Sequence, residues 1–222
     1  MIERVDTKSV SLSDPGTAGA LVRAAIAIFG QKGFDATSTR EIAAAAQTNV
    51  ASIAYHFGGK DGLRRACAAA FASHIGGLLN LDTLPEPETP QAAEALILTI
   101  VERFAAHMIA DHDMQSRVAF MLREVASGGS GLDSFYEQLV VPSHTRFCRL
   151  WETATGEPAE AETTKLLIFT ALGQILYFRI GAPVVTRRMG WTEIGPEETA
   201  RIVAILKSNI SALIAQHRRS SL

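Results

Sequence analysis

Long segments of the chain carry apolar residues at helical spacing, and glycine or proline separates these segments from one another. The first segment covers about residues 17–31 and places Leu21, Ala25 and Phe29 on one face. No run of residues alternates β-branched and polar side chains, as a half-buried strand would. A chain of 222 residues can also bury a substantial core. The pattern therefore predicts an all-α fold of about nine helices.

The positions of glycine and proline, together with the spacing of apolar residues, predict three parts along the chain. Residues 1–16 contain few apolar side chains and end at Pro15-Gly16, which is typical of a flexible arm. Residues 17–62 are predicted to form a small N-terminal domain of three helices, and residues 63–222 a larger helical domain. A helix from about Lys60 to Leu79 is expected to connect the two domains.

Beyond this helix, prolines and glutamates over residues 85–90 make the clearest change in composition. Thr89-Pro90 suits a helix start, because threonine caps the first turn and proline fits its first position. Pro142 is expected to kink the helix that contains it, since it removes a backbone hydrogen bond. The stretch between Gly181 and Gly195 is expected to separate two long helices. The predicted later helices cover residues 90–111, 113–126, 132–154, 159–181 and 196–218.

The sequence predicts no membrane span and no signal peptide. The longest nearly apolar stretch, residues 166–178, is too short for a bilayer and contains Gln174. The amino terminus carries charges where a signal peptide needs an apolar run. We therefore expect a cytoplasmic protein in which Cys67 and Cys148 are reduced. Two distant cysteines do not suit a zinc finger.

Residues 37–63, TSTREIAAAAQTNVASIAYHFGGKDGL, contain two short helical segments separated by Gln47-Thr48. Ser38 and Glu41 have the spacing of a capping box, which marks the start of the first segment. Asn49 suits the cap of the second segment. Two short helices with such a tight connection are typical of a helix-turn-helix, whose second helix enters the major groove of DNA.

The second segment can divide its faces in the way that DNA binding requires. A helix in the major groove buries one face on its own domain and presents small or polar side chains to the base edges. Ile53 and Phe57 are four residues apart and are predicted to point inward. The side chains left on or near the outer surface are Thr48, Asn49, Ala51, Ser52, Tyr55 and His56. Two packed alanine-rich helices without a ligand are the plainer alternative, and the caps and spacing favour DNA.

The stretches AIAIFGQKGFDATSTREIA and YHF-GGK together resemble the DNA-binding domain of the TetR/AcrR family of bacterial transcriptional regulators. Residues 20–63 follow the family pattern almost throughout. The turn departs from it, because many relatives have Gly-Val where this chain has Gln47-Thr48, and the tyrosine sits one position later, at Tyr55. That shift, with the segment LGQILYFRIGAPVVTRRMGW over residues 172–191, resembles the CecR-like branch of the family.

The resemblance implies an all-α homodimer that binds operator DNA and responds to a small-molecule effector. It assigns DNA contacts to Thr39, Arg40, Thr48, Asn49, Val50, Ala51, Ser52, Tyr55, His56 and Lys60. It also implies a four-helix bundle between subunits, made from the last two long helices of each. The apolar residues of these two helices are Ile168, Leu172, Ile175, Leu176, Ile202, Ile205, Ile210 and Leu213.

The charge balance limits how such a protein can bind DNA. The chain has a formal net charge of −2, and residues 1–62 contain as many acidic as basic side chains. A single N-terminal domain is therefore expected to bind DNA weakly. Useful affinity requires two domains acting together, with help from Arg64 and Arg65.

The larger domain contains bulky and adaptable side chains that suit an effector cavity as well as a core. The candidate polar anchors for an effector are His107, Arg123 and Gln174. The predicted ligand-binding residues are Phe104, His107, Met108, Met121, Arg123, Phe147, Trp151, Gln174 and Phe178.

No cofactor, metal site or catalytic site is predicted. His107, Asp111 and His112 could share a helix face, but further ligands are not evident, and solvated polar residues are the simpler interpretation. Ser143-His144 and Cys148 lack the pattern of a nucleophile motif. The prediction is a non-enzymatic, ligand-responsive DNA-binding regulator, a repressor that its effector releases from the operator. The alternatives are a helical enzyme or a protein-binding module, each localised by a DNA-binding domain.

Overall fold

A computed structural model describes residues 10–80 and 83–220, and these residues form helices and no strands. The prediction of an all-α fold is therefore confirmed. The chain divides into two compact units. The head unit contains residues 10–78 and 115–141, and the bundle unit contains the described part of residues 79–114 and 142–220.

Most helices begin and end close to the predicted positions. The first six are α1 (Thr17–Lys32), α2 (Thr39–Ala45), α3 (Ala51–Phe57), α4 (Lys60–Leu79), α5 (Pro90–Ala110) and α6 (Asp113–Ser127). The later ones are α7 (Leu132–Phe135), α8 (Val141–Thr155), α9 (Glu162–Ile180), α10 (Ala182–Met189) and α11 (Pro196–Ser220). The predicted cap of α5 is confirmed, because the Thr89 hydroxyl accepts a hydrogen bond from the Ala92 amide at 3.2 Å.

The later helices differ from the prediction in two details. Residues 132–154 do not form one kinked α-helix, because a π-helical turn, Tyr136–Val140, separates α7 from α8. The wider turn lies just before Pro142, whose ring would clash with the carbonyl four residues earlier in a regular α-helix. The stretch between Gly181 and Gly195 separates α9 from α11 as predicted, and it also contains the short helix α10, which the sequence analysis did not predict. Pro183 suits the first turn of this helix, which ends at the left-handed Gly190 with φ of 70°.

In the head unit, α6 packs against α1 and contributes to its core. Phe29 and Phe120 stack with their ring centroids 6.0 Å apart. A β-carbon on Gly30 would lie 2.6 Å from the Ser116 carbonyl oxygen, so the two helices approach closely at this point. Residues 115–141 therefore pack with the N-terminal helices, although the sequence assigns them to the larger domain. The functional boundary at residue 62 stays a prediction.

The described part of the predicted arm, residues 10–16, packs on α1. Leu12 is buried, and Arg23 Nη1 donates hydrogen bonds to the carbonyls of Leu12 and Asp14 at 2.9 and 2.6 Å. A β-carbon on Gly19 would lie 2.2 Å from the Asp14 carbonyl oxygen, which shows how close the segment comes to the helix. Residues 1–9 of the predicted arm lie outside the described residues.

In the bundle unit, α5 packs along α9 and α11. Arg218 of α11 donates to the Ala154 carbonyl at the end of α8, at 2.9 Å. Arg146 of α8 forms an ion pair with Glu86 and donates to the Pro85 carbonyl at 2.7 Å. The proline-rich segment before α5 is therefore held against α8 by charge-assisted hydrogen bonds.

Both cysteines are buried as free thiols. Within the described residues, no helix is by itself long and apolar enough to span a membrane. The pair α9 and α10, which meet at a bend of 72°, meets the requirement together by length and composition only. Among the described residues, no three histidine, cysteine, aspartate or glutamate side chains are grouped so that they could hold a metal ion.

Candidate nucleic-acid interface

The start of α2 is fixed by one half of the predicted capping box. The Ser38 hydroxyl accepts a hydrogen bond from the Glu41 amide at 3.1 Å. The Glu41 carboxylate pairs with Lys32 of α1 instead of completing the box. This ion pair ties α2 to α1. In the first turn of α2, Thr39 is half-buried and Arg40 is exposed.

The turn between α2 and α3 contains a residue in the left-handed conformation. Gln47 has φ of 54°, a conformation that is costly for a residue with a side chain and free of cost for glycine. This left-handed conformation explains why many relatives have a glycine at the position of Gln47. The next residue, Thr48, places its hydroxyl 3.2 Å from that of Ser52.

Val50 is the N-cap residue of α3 instead of the predicted Asn49, which forms a local turn just before the helix. The Asn49 Oδ1 accepts a hydrogen bond from the Ala51 amide at 2.9 Å, while Val50 caps the helix without a side-chain hydrogen bond. Asn49, Val50 and Ala51 are all exposed. The first turn of α3 consequently presents short side chains to the outside, where another backbone could approach closely.

The two faces of α3 are divided as the sequence predicts. Ile53 and Phe57 are only 1% and 7% exposed. Tyr55 lies between them in sequence and is 84% exposed, with its ring edge-on to the ring of His56 at a centroid distance of 4.9 Å. A tyrosine that is so exposed contributes little to its own core, so α3 has a surface available for a partner.

Three glycines form the turn from α3 into α4. Gly58 and Gly59 have φ of 70° and 127°, which favours glycine. A β-carbon on Gly62 would lie 1.7 Å from the Phe57 carbonyl oxygen, so this position has room only for glycine. Sequence analysis missed Gly62, because a glycine in the first turn of a helix carries no signal of what lies beside it.

Lys60, a predicted phosphate contact, is held by Phe34 in the loop after α1. Its Nζ donates to the Phe34 carbonyl at 2.6 Å and lies 4.2 Å from the centroid of the Phe34 ring. An ammonium group has three donors, so these contacts orient Lys60 without using its whole capacity. Phe34 is a second residue that sequence analysis did not identify.

Several basic side chains near α3 already have partners within the head unit. Lys32 pairs with Glu41, and Arg64 Nε lies 2.7 Å from Glu124 Oε1. The additional charge that the sequence assigns to Arg64 is therefore neutralised locally. Arg40 and Arg65 are exposed. Lys32 and Arg64 are consequently less available to phosphates than Arg40 and Arg65 are.

The predicted ligand-binding residues lie in both units. Arg123 belongs to the head unit, where its Nε donates to the Gly30 carbonyl at the end of α1, at 3.0 Å. Gln174 belongs to the bundle unit and accepts a hydrogen bond from Asn209 at 3.1 Å. Met108, Met121 and Trp151 are buried, and Phe104, His107, Phe147 and Phe178 are half-buried. Contact with an effector stays a prediction for each of these residues.

Cys148 and His144 lie one turn apart on α8, and their side chains are in contact. The Cys148 Sγ lies 3.6 Å from the His144 Nδ1. Burial raises the pKa of the Cys148 thiol, and the nearby Glu160 carboxylate raises it further. The thiol is therefore protonated at neutral pH, which makes it a poor nucleophile. The other pair considered, His107 and Asp111, has Nε2 3.6 Å from Oδ2.

Two family models match the chain. The model described as bacterial regulatory proteins, tetR family, matches residues 21–67. The model described as the C-terminal domain of the HTH-type transcriptional dual regulator CecR matches residues 93–216. The first match includes all of α2 and α3, and the second extends from α5 into α11.

The HTH-type transcriptional dual regulator CecR of Shigella flexneri is 34% identical over 206 residues, which cover 87% of this chain and 89% of that protein. A TetR-like transcriptional regulator from Rhodococcus sp. RHA1 has a TM-score of 0.61 at 16% identity, over 88% of this chain and 96% of that one. AibR, in complex with isovaleryl coenzyme A and operator DNA, has a TM-score of 0.62 at 15% identity, over 86% and 96%. The two structural matches establish the fold alone.

We predict that Gly62→Ala destabilises the head unit, because the added methyl group has no room beside the Phe57 carbonyl. Overpacking of this kind lowers the free energy of unfolding by about 1–3 kcal/mol, which urea denaturation would measure. Gly77→Ala is the matched control in the same helix, since nothing lies within 4 Å of its β-carbon position. The control should raise the free energy of unfolding by about 1 kcal/mol. Equal effects of the two substitutions would contradict the close approach of α3 and α4.

Proposed function

Since the chain belongs to the TetR family of bacterial regulatory proteins, and is a DNA-binding transcriptional regulator of the CecR-like branch, we propose that it reads its operator with the exposed face of α3. The observation that carries this proposal is the contrast between the buried Ile53 and Phe57 and the exposed Tyr55. The exposed face is the one that a recognition helix turns toward base edges.

The proposed interface combines base and phosphate contacts. The short side chains of Asn49, Val50, Ala51 and Ser52 allow α3 to enter the major groove, with Thr48 at the groove edge. Thr39, Arg40, Tyr55, His56 and Lys60 would contact the flanking phosphate strands or the outermost bases. Contacts with phosphates fix the register of a protein on DNA, whereas contacts with base edges provide its specificity.

We propose that the protein binds DNA as a homodimer. The reason is that one head unit has too little positive charge to bind DNA tightly by itself. Two linked head units make the second binding event intramolecular and raise the overall affinity without new contacts. Two recognition helices fit successive major grooves when their centres are one helical turn apart, roughly 34–36 Å. The geometry of the dimer would therefore decide whether DNA is bound.

We place the dimer interface on α9 and α11. Exposed apolar residues follow helical spacing along α9, and Ile205 of α11 is 60% exposed. The exposed residues on α9 are Leu166, Phe169, Leu172, Tyr177 and Ile180. Sequence analysis assigned three further residues to the same dimer interface, but they are buried in the core of the bundle unit: Ile175, Ile202 and Ile210. Apolar surface of this extent favours a protein partner.

We further propose that a small-molecule effector binds the larger domain and releases a repressor from its operator. AibR has been crystallised in complex with isovaleryl coenzyme A and operator DNA, so a protein of this fold can bind a small molecule as well as DNA. An effector that favours a different spacing of the two head units would lower DNA affinity. By linkage, operator DNA would lower effector affinity by the same factor. The protein would act in the cytoplasm, without chemical turnover.

The rival functions make different demands. A helical enzyme with a localising head unit needs an activated nucleophile or an acid–base pair, and the raised pKa of the Cys148 thiol does not suit that role. A protein-binding module whose DNA-binding domain serves only to localise it needs no preference for one DNA sequence. Selection of one duplex from a random library by the wild-type protein separates the regulator from this alternative.

We predict that Tyr55→Ala weakens binding to the selected duplex by about 1–3 kcal/mol, or roughly 5- to 160-fold, in a gel shift. The melting temperature should not fall, because the Tyr55 side chain is 84% exposed. Tyr136→Ala is the matched control, since Tyr136 is also in the head unit and is 55% exposed. Unchanged binding by Tyr55→Ala would contradict the assignment of Tyr55 to the proposed DNA interface.

Ile205→Asp is predicted to convert the dimer into monomers. It places a carboxylate in the apolar dimer interface, where burial of an unpaired charge is costly. Light scattering measures the molar mass of the variant directly. Val125→Asp is the control, because Val125 is 53% exposed, belongs to the head unit and lies outside the proposed dimer interface. A persistent dimer in Ile205→Asp would mean that the subunits associate through another surface.

A further inference from the structure

A buried ion pair joins α4 to α6 within the head unit. Arg64 Nε lies 2.7 and 2.9 Å from the two carboxylate oxygens of Glu124, and Arg64 Nη2 donates to the Ser127 hydroxyl at 3.2 Å. Glu124 is only 2% exposed. The Nε–H group is shared between the two oxygens, and Nη2 bonds to Ser127, so two nitrogens of the guanidinium group are attached to α6.

The glycine-rich loop after α6 encloses this pair. The Gly131 amide donates to Glu124 Oε2 at 3.2 Å. A β-carbon on Gly129 would lie 2.0 Å from Arg64 Nη2 and 2.4 Å from Glu124 Oε2. A β-carbon on Gly131 would lie 2.7 Å from the Ala68 β-carbon of α4. A side chain at Gly129 would therefore displace the ends of Arg64 and Glu124, and a side chain at Gly131 would collide with α4.

The same end of α4 is held from a second side. The Phe34 ring lies 4.2 Å from both the Lys60 ammonium and the centre of the Arg64 guanidinium. Phe34 follows α1, so the first two turns of α4 are fixed between the loop after α1 and α6. Only Gly58 and Gly59 separate α3 from α4. The orientation of α3 therefore depends on where these turns are held.

The energetics of such a pair favour a geometric role. Desolvation of two charges offsets most of their attraction, so a buried ion pair adds little net stability compared with apolar residues of similar size. Removal of one partner, in contrast, leaves an uncompensated buried charge. Burial raises the pKa of the nearby Cys67 thiol, and the Glu124 carboxylate raises it further.

We propose that Arg64 and Glu124 are positioning residues for DNA binding: they hold the start of α4 against α6 and so set the angle at which α3 meets the major groove. This inference rests on the proposed function. Neither side chain needs to touch DNA, since each is committed to the other. The head unit that reads DNA then includes α6, although α6 is distant from α3 in sequence.

The test compares two variants on two duplexes. E124Q removes the negative charge with little change in shape, and R64M/E124M removes both charges, so it leaves no buried charge without a partner. Affinity is measured for the duplex that the wild-type protein selects from a random library, and for an unrelated duplex at low salt. The matched control is K207M/E102M, which removes an ion pair between α5 and α11 of the bundle unit.

We expect R64M/E124M and E124Q to lose at least about tenfold in affinity for the selected duplex and less than about twofold for the unrelated duplex. Phosphate contacts tolerate a small rotation of α3, whereas base contacts do not. The control should keep wild-type affinity for both duplexes. A loss of stability alone would lower both affinities together, so the ratio of the two separates positioning from a merely structural role.

Wild-type affinity of R64M/E124M for the selected duplex would overturn the proposal. Equal losses on both duplexes would also overturn it, since they would indicate direct phosphate binding or a head unit that no longer folds. Failure of the wild-type protein to select any duplex would instead contradict the proposed function itself.

Discussion

The burial of Ile53 and Phe57 is the constraint on which the functional account depends. Both side chains must pack into the head unit, and their spacing of four residues fixes the rotation of α3 about its own axis. With that rotation fixed, Tyr55 and the short side chains of the first turn point outward. Gly62 then lets α4 approach the end of α3 closely. The exposed face of α3, which we propose contacts DNA, is thus a consequence of core packing in a very short helix.

Electrostatics gives the second constraint, because the head unit uses its basic side chains largely to hold itself together. Lys32 binds Glu41, Lys60 is anchored on Phe34, and Arg64 binds Glu124. The two ion pairs neutralise Lys32 and Arg64, whereas Lys60 is oriented by Phe34 and keeps its charge. A protein of this kind gains DNA affinity by joining two head units at a defined spacing. Control of that spacing by the larger domain would then control transcription.

The sequence predicts features that depend on neighbours along the chain and misses those that depend on distant ones. The caps at Ser38 and Thr89 and the buried face of α3 follow from local spacing, and the structure has them. The Arg64–Glu124 pair joins residues that no local pattern connects. Apolar spacing on α9 and α11 predicts a wide apolar face, but it does not tell which part, such as Ile202, fills the core and which part, such as Ile205, is exposed. The contacts of DNA and effector stay predictions for the same reason.

Chemical footprinting of the selected duplex with the wild-type protein tests the central claim most directly. The account predicts two protected major-groove segments, related by a two-fold axis, with centres about 10 base pairs apart. Loss of one segment in a monomeric variant should accompany loss of affinity. A single protected segment for the intact dimer, or protection confined to the minor groove, would contradict the claim that two copies of α3 read the DNA together.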